Sequence, residues 1–329
     1  MAYDYTELFT QAELDKLGDG TSKSLIEGNR SQGNLIGYPW TAGGDKFYYN
    51  EKMVKDAGFN HPPDTWDELL VQSKAITQDT DADGKADHWG WGMIDFNEAE
   101  AKAENFLYPA GFKGIADDGK SIGYDDPRAL AAWASVDKLY NIEKVALPAG
   151  VYLGPTETMK ALMDGKFAFI VFSHAETFLP NFPDPTWDKG VLKVSSIPQG
   201  PGTWLNDGRA VYTGSSIWCI PTDVNGKELE LVKDMVLNYL YDPDYLSGIC
   251  NFWNFVPGSV KVAQKMDLSV FQKQMMETIA TGIPYVYNDH QGPISEIIRD
   301  TMWSVALGHS TAKAAFEDAV KRGKAEMAR

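Results

Sequence analysis

Residues 156–172 read TETMKALMDGKFAFIVF, and this segment gives the clearest indication of the fold class. Its first part, residues 156–164, has the pattern of a helix, and Gly165 behind it suits the left-handed backbone at which helices commonly end. The next residues, 166–172, form a short apolar run rich in phenylalanine, which is typical of a buried strand. The segment therefore predicts a helix that leads directly into a strand of the core.

Capping residues predict further helices on both sides of this segment. They are the capping box Thr65-Trp66-Asp67-Glu68 ahead of Leu69, Leu70 and Ile76, the pair Asp126-Pro127 ahead of a helix to about Tyr140, and Ser310 ahead of the run 312–320. Residues 214–221 predict another strand, and residues 227–241 predict the helix after it. Because strands alternate with helices, we expect an α/β architecture with largely parallel sheets.

Length and charge limit the number of domains and the kind of partner. A chain of 329 residues exceeds the size at which one hydrophobic core usually stops growing, so we expect two domains or lobes. The 46 acidic and 30 basic residues give a formal charge of −16, which repels phosphate backbones and anionic membrane surfaces. Nucleic acid is therefore a poor candidate for a partner. No apolar run reaches the roughly 18 residues of a membrane-spanning helix, so direct membrane insertion is not expected.

The two cysteines fit neither a metal site nor a disulfide framework. Cys219 lies in the apolar run 217–220, which predicts a buried free thiol. A single disulfide bond between Cys219 and Cys250 is the alternative.

The order of several short segments resembles a known family, the extracellular solute-binding proteins of family 1. The first segments are Gly37-Tyr38-Pro39-Trp40, Phe47-Tyr48-Tyr49-Asn50-Glu51-Lys52, Ala57-Gly58-Phe59 and Pro63-Asp64-Thr65-Trp66-Asp67-Glu68-Leu69. The later ones are residues 163–169, 214–221, 254–257 and 306–311. Each match is weak alone, but together they run in the order of the family from about residue 35 onward.

This resemblance implies a fold of type II, like that of the periplasmic binding proteins, with two α/β lobes that close on a sugar. It places lobe one at residues 1–43 and 209–270, and lobe two at residues 44–208 and 271–329. Gly43-Gly44 and Asn206-Asp207-Gly208 have the composition of hinges, although ordinary turns would use the same residues. The resemblance also implies that on the order of 80 residues of lobe one are missing before Met1, at about 30 residues per βαβ unit. We therefore expect a first lobe that is incomplete at its N-terminus.

Residues 79–87, with the sequence DTDADGKAD, predict a calcium loop. Asp79, Asp81 and Asp83 occupy positions 1, 3 and 5 of such a loop, and Gly84 suits the sharp turn at position 6. Lys85 would contribute its backbone carbonyl at position 7, and Asp87 would contribute an oxygen at position 9. An EF-hand is excluded because Gly90 stands where the bidentate glutamate would be. The alternative is a solvated acidic turn. The resemblance implies a structural Ca²⁺ here, since relatives that bind alginate carry a similar loop away from the sugar.

Aromatic and short polar side chains are expected to form the sugar site, because sugars present apolar faces to indole rings and hydroxyls to polar groups. Carried over from the resemblance, the ligand-binding residues are Trp40, Asp45, Ser173, His174, Glu176, Gly214, Ser215, Ser216, Trp253, Asn254, Tyr285, Tyr287 and Asn288. We expect Trp40 and Trp253 to be partly exposed. The helical pattern places Trp66, Trp133 and Trp303 in the core.

The leading functional hypothesis is a non-catalytic protein that binds a saccharide, an oligosaccharide or sugar derivative, outside the cytoplasm and delivers it to the permease subunits of an ABC transporter. The complete protein would be periplasmic or a cell-surface lipoprotein, although this chain shows no signal segment. One alternative is a glycosidase or lyase, with Asp95, Glu98, Glu100 and Glu104 as candidate carboxylates. Another is a fragment that has lost its transport function.

Overall fold

The structure is a computed structural model that describes residues 2–31, 33–92, 103–149, 154–173, 191–200, 212–268, 272–273, 276, 283–284 and 289–329. These residues divide into two compact units. Unit 1 comprises Met1–Gly44 and Tyr212–Asn288, and unit 2 comprises Asp45–Val211 and Asp289–Arg329. Within the described ranges, no helix combines the length and the apolar character needed to cross a bilayer.

The helices are, in chain order, α1 (Tyr5–Leu8), α2 (Gln11–Leu17), α3 (Lys23–Glu27), α4 (Glu51–Asp56), α5 (Trp66–Ile76), α6 (Glu104–Leu107), α7 (Leu130–Asp137), α8 (Pro155–Met163), α9 (Gly226–Met235), α10 (Pro243–Trp253), α11 (Val260–Ala263), α12 (Gln291–Ala306) and α13 (Ala312–Met327). A 3₁₀ turn, Pro127–Ala129, precedes α7, and π-helical turns at Lys138–Ile142 and Val236–Leu240 continue α7 and α9. The strands are β1 (Arg30–Ser31), β2 (Asn34–Leu35), β3 (Gly43–Asn50), β4 (Trp89–Trp91), β5 (Phe167–Ser173), β6 (Leu192–Ser195), β7 (Tyr212–Gly214) and β8 (Ile283–Pro284).

Local capping chemistry explains where α5 begins. The Thr65 hydroxyl accepts a hydrogen bond from the Glu68 N–H at 3.2 Å, and the Glu68 carboxylate accepts one from the Asp64 N–H at 2.8 Å. The predicted capping box is therefore present, except that the Glu68 carboxylate accepts from the N–H of Asp64 and not from that of Thr65. The predicted helix-to-strand segment is confirmed as α8 and β5, and Gly165 between them has a φ of +78°.

Unit 2 is built on a sheet with the order β4-β5-β3-β6. Strand β3 pairs antiparallel with β5 from Asp45↔Ser173 to Tyr49↔Phe169, and antiparallel with β6 on its other side. Only β4 and β5 run parallel in this sheet as described, so the expectation of largely parallel sheets is wrong for unit 2. The hydrophobic run of β5 determines its burial, but it does not determine the direction of its partner.

The core of unit 2 is completed by α12 and α13, which come last in the sequence. The fully buried Trp133 of α7 donates a hydrogen bond to the Thr301 hydroxyl of α12 at 3.1 Å, and its ring lies against Phe316 of α13. Tyr124 donates a hydrogen bond to the Ala319 carbonyl at 3.2 Å. The predicted burial of Trp133 is therefore confirmed, whereas Trp303 is only partly buried against this core.

Unit 1 has two smaller core clusters. One gathers Tyr5, Phe9, Leu35 and Tyr38 with Ile220 and Val236, and the other gathers Trp40, Leu246, Cys250, Val262 and Met266. Residues Gly43 and Gly44 of β3 pair with β7, and β7 pairs parallel with β8.

Three details of unit 1 differ from expectation. The strand predicted at residues 214–221 is confined to the end of β7 at Gly214, and after it the pairing is the single bridge Pro39↔Ile217 and the terminal bridge Ala2↔Pro221. Cys219 is an exposed free thiol, and the buried free thiol is Cys250, whose pKa desolvation raises to about 12. The unit boundaries fall at Gly44, Val211 and Asn288, so residues 271–288 belong to unit 1 and not to the second lobe.

Candidate functional site

Trp40 lies inside unit 1 because other aromatic and aliphatic side chains enclose its ring. Its indole stacks on Trp218 at a centroid distance of 5.4 Å and an interplanar angle of 13°, and it meets Phe255 edge-on at 5.5 Å. Only 9% of the residue is exposed. The expectation that Trp40 is partly exposed is therefore wrong, since its ring belongs to the cluster around Leu246 and Cys250.

Polar groups surround the segment that follows β7. The Ser215 hydroxyl donates a hydrogen bond to the Asn29 side-chain oxygen at 2.9 Å. The Ser216 N–H donates to the Thr41 hydroxyl at 2.8 Å, and the Ser216 carbonyl accepts from the Trp40 N–H at 3.0 Å. These bonds bring Ser216 beside Trp40 and tie Ser215 to Asn29. Gly214 precedes them in β7, where it pairs with Gly43.

The end of α10 presents a large aromatic surface to solvent. Trp253 is 54% exposed, as predicted, and its ring makes an edge contact of 5.2 Å with Phe252, which is 75% exposed. Asn254 ends the helix with a φ of +55°, a left-handed conformation that asparagine tolerates better than most residues. This turn leads directly to Phe255 and hence to the Trp40 cluster.

Other predicted ligand residues lie elsewhere or outside the described residues. Asp45 and its neighbour Lys46 are completely buried in β3 of unit 2, which does not fit a carboxylate that is open to a ligand. Ser173 is described only as the last residue of β5, paired with Asp45. His174, Glu176, Tyr285, Tyr287 and Asn288 lie outside the described residues.

The acidic loop of residues 79–87 in unit 2 is closed by a bridge between Gln78 and His88. Possible ligand atoms of Asp79, Asp81 and Asp87 all lie within 4.8 Å of one another. Gly84 has a φ of +87°, which is the backbone that the predicted sharp turn requires. Asp83 is not part of this group. Its carboxylate instead accepts a hydrogen bond from the Lys85 N–H at 2.8 Å.

Hydrogen bonding favours the ionised form of the Asp87 carboxyl in this loop. The hydroxyl and N–H of Thr80 both donate to Asp87, and these bonds lower the pKa of the Asp87 carboxyl. The Gly84 N–H donates to Asp79 at 2.8 Å. A second group with three possible ligand atoms within 4.8 Å consists of His61, Asp64 and Glu68, ahead of and within the first turn of α5. These three residues are not among the predicted metal ligands.

Of the four candidate carboxylates of the enzyme alternative, the structure describes Glu104 alone. Glu104 is 2% exposed, and its carboxylate accepts hydrogen bonds from the Ser295 hydroxyl and, at 3.5 Å, from the Gln291 amide. A carboxylate held in this way stabilises the contact between α6 and α12. Asp95, Glu98 and Glu100 lie outside the described residues.

Two contributors to the unit 1 cluster were missed from the sequence. Trp218 falls within the strand predicted at residues 214–221, and Asn29 is not among the predicted ligand residues. The run 217–220 is apolar, but the Trp218 side chain uses its face to stack on Trp40. No local signal identifies Asn29, because its partner Ser215 is distant in the sequence.

Sequence comparison identifies the class to which this fold and these residues belong. Residues 2–277 match the family model described as bacterial extracellular solute-binding protein, and the chain belongs to that family. A probable ABC transporter-binding protein of Deinococcus radiodurans is 24% identical over 184 residues, 54% of this chain and 42% of the relative. The sn-glycerol-3-phosphate-binding periplasmic protein UgpB of Yersinia pseudotuberculosis is 22% identical over 321 residues, 88% of this chain and 66% of the relative. The chain thus spans less than two thirds of either relative.

Solved structures of the same fold are similar over nearly the whole chain. The maltose-bound protein MalE3 of T. maritima has a TM-score of 0.75 at 19% identity, covering 97% of this chain and 79% of its own. The GacH receptor of Streptomyces glaucescens, solved unliganded and with acarbose, has a TM-score of 0.77 at 16% identity. The match covers 100% of this chain and 79% of the receptor. The two-lobed α/β fold of the periplasmic binding proteins is therefore confirmed.

Proposed function

We propose that this protein binds a saccharide as the solute-binding component of an ABC importer. The observation that carries the proposal is the half-exposed indole of Trp253, which stands beside Phe252 and Asn254 at the end of α10. A large aromatic ring left open to water next to polar groups is suited to stack against the apolar face of a sugar ring.

The solved relatives support a saccharide as the class of ligand, because one is bound to maltose and another to acarbose. The relative from Yersinia pseudotuberculosis is named for sn-glycerol 3-phosphate, which makes a phosphate ester the second ligand to test. Membership of an extracellular solute-binding family favours a location outside the cytoplasm, with permease subunits as partners. A lipid anchor on the complete protein remains part of this proposal, as does the absence of catalysis.

Calorimetric titration tests this function when the sugar is recovered afterwards. We expect heat of binding with a neutral oligosaccharide such as maltotriose and complete recovery of the intact sugar. New reducing ends or unsaturated products would support the enzyme alternative. Binding of sn-glycerol 3-phosphate without any saccharide would replace the proposed ligand class.

Replacement of Trp253 by Ala should weaken saccharide binding about tenfold, which corresponds to about 1.4 kcal/mol. The melting temperature should stay nearly unchanged because the ring is half exposed. The matched control is Tyr239→Ala, since Tyr239 is also 54% exposed in unit 1 but lies on the turn after α9. Equal losses of affinity in the two variants would argue against a specific role for Trp253.

We also propose that the loop of residues 79–87 binds Ca²⁺. Three observations support it: the proximity of the Asp79, Asp81 and Asp87 ligand atoms, the lowered pKa of Asp87, and the positive φ of Gly84. Hard oxygen ligands from several carboxylates are the set that Ca²⁺ prefers. The ion would neutralise the repulsion between these side chains and hold the connection between α5 and β4.

Calcium should raise the melting temperature by mass action on the folded state. At a concentration of about 100 times Kd the gain is about 2.7 kcal/mol, or roughly 5 °C for a chain of this size, and EDTA should abolish it. Asp81→Asn should remove the shift while its side-chain oxygen keeps the hydrogen bond from the Asp83 N–H. The control is Asp118→Asn, in an acidic turn that bonds the Lys120 N–H in the same manner. Identical melting with calcium and EDTA would show that the loop is only a turn.

A further inference from the structure

Unit 2 contains a cavity of about 540 Å³ that is lined by residues of α5 and α7 and by Gln199 and Gly200. Leu69, Phe106 and Leu139 are its buried apolar residues. The partly exposed Trp66 and Leu70 contribute from α5. On α7 the lining residues Ala131, Ala134 and Ser135 are small, which leaves this space open. The volume falls within the roughly 300–1,000 Å³ of small-molecule sites.

The position of the lining segments is fixed by contacts around the cavity. Gln199 is held beside the start of α5, because its N–H donates to the Asp64 carbonyl at 2.8 Å and its carbonyl accepts from the Trp66 N–H at 3.0 Å. Further along α5, Lys74 forms a 2.7 Å ion pair with Glu143, just beyond the π-helical turn that follows α7. The cavity is thus preformed, which lowers the ordering cost of binding.

Four polar groups of the lining have no hydrogen-bond or ion-pair partner within the part of the chain that the structure describes. They are the Trp66 indole N–H, the Asp67 carboxylate, the Lys138 ammonium and the Gln199 side-chain amide. Together they offer donors and acceptors next to an apolar surface that includes the Trp66 ring. This combination matches a ligand that has hydroxyl groups as well as apolar C–H faces.

The charges of these groups indicate a neutral ligand. Lys138 contributes one positive charge, and Asp67 offsets it with one negative charge. A phosphate or carboxylate ligand would gain from Lys138 but would be repelled by Asp67, whereas a hydroxyl can donate to the carboxylate and accept from the ammonium.

We propose that this cavity is a second binding site, for a single neutral sugar ring or small polyol stacked on Trp66. It lies wholly within unit 2 and shares no residue with the group around Trp253 in unit 1. The site therefore does not depend on the saccharide assignment made for unit 1, and ligand can occupy it separately.

Fluorine NMR of the whole chain labelled with 5-fluorotryptophan tests the site directly. Trp66→Phe assigns the Trp66 signal, and D-glucose, maltose and sn-glycerol 3-phosphate are the probes, each titrated to about 50 mM, well above a millimolar Kd. We expect a saturable shift of the Trp66 signal with D-glucose or maltose. This response should persist in Trp253→Ala. No shift of the Trp66 signal with either sugar overturns the site, and a shift with sn-glycerol 3-phosphate alone overturns the neutral ligand class.

Two variants separate the cavity from other surfaces near Trp66. Ala134→Leu places a larger side chain, which is still compatible with a helix, at the cavity wall formed by α7. It should lower the affinity measured from the Trp66 signal about tenfold or more, while the other tryptophan signals show an unchanged fold. Lys138→Gln keeps a hydrogen-bond donor and should change the apparent affinity for D-glucose less than about threefold. Full affinity in Ala134→Leu would place the ligand outside the cavity, and a complete loss of D-glucose binding in Lys138→Gln would contradict a site in which Lys138 serves as one hydrogen-bond donor among several.

Discussion

Replacement of Trp133 by Ala should lower the free energy of unfolding by about 3–5 kcal/mol, a large share of the total stability of an ordinary protein. The residue has no exposed surface, its ring contacts Tyr124 at 5.9 Å and Phe316 at 5.3 Å, and its N–H is bonded to Thr301. The substitution creates a cavity among three segments of unit 2 and leaves the Thr301 hydroxyl without this donor. Urea unfolding followed by circular dichroism measures the loss.

Two further variants serve as comparisons for the loss of stability in Trp133→Ala. Thr301→Val retains the shape of the side chain but removes the hydrogen-bond partner of Trp133, and should cost about 1–3 kcal/mol. Trp253→Ala removes the same side chain from an exposed position and should cost far less. A loss below about 1 kcal/mol in Trp133→Ala would contradict the complete burial of this ring.

Replacement of Gly90 by Ala should also destabilise unit 2 strongly, by about 3 kcal/mol or more. A Cβ atom on Gly90 of β4 would lie 2.2 Å from the Ser73 Cα and Cβ atoms and 2.6 Å from the Ser73 oxygen. The Cα and Cβ atoms of Ser73 are fixed by the backbone of α5 and cannot rotate away. The helix and the strand must therefore separate to accept one methyl group. The loss should be visible as a lower melting temperature and as reduced soluble expression.

Gly248→Ala is the matched control for this substitution. Gly248 lies inside α10, and a Cβ atom there would meet no atom within 4 Å. Alanine restricts the unfolded chain more than glycine and favours the helix, so this variant should gain about 0.5–1 kcal/mol. Similar melting temperatures for the two alanine variants would show that the close approach of β4 to α5 is not present in solution.

Features that depend on neighbouring residues could be predicted from the sequence. The capping of α5 by Thr65, the end of α8 at Gly165 and the turn at Gly84 each need only a few consecutive residues, and all three are found. Each of these caps and turns is determined by residues close together in the sequence, so a short stretch of sequence is enough to predict it.

Features that depend on distant partners could not be predicted. The apolar run of β5 shows that the strand is buried, but nothing in it specifies an antiparallel partner in β3. Trp40 is predicted to be partly exposed, but it is enclosed because Trp218 and Phe255 come from other segments of the chain. The cavity beside Trp66 has the same origin, since its small residues on α7 and its aromatic ring on α5 are separate in sequence.

The place of α12 and α13 in unit 2 has a consequence for the order of events during synthesis. Among the described residues, Trp133 and Tyr124 are hydrogen-bonded to α12 and α13, which come after residues 212–288 of unit 1 in the chain. Unit 2 therefore cannot complete its core until α12 and α13 have been synthesised, even though the rest of its residues are already present. The residues of unit 1 from Tyr212 onward are made in between. Long-range contacts of this kind form slowly. Unit 2 of the nascent polypeptide therefore stays open until α12 and α13 have been made, long after its first residues have been synthesised.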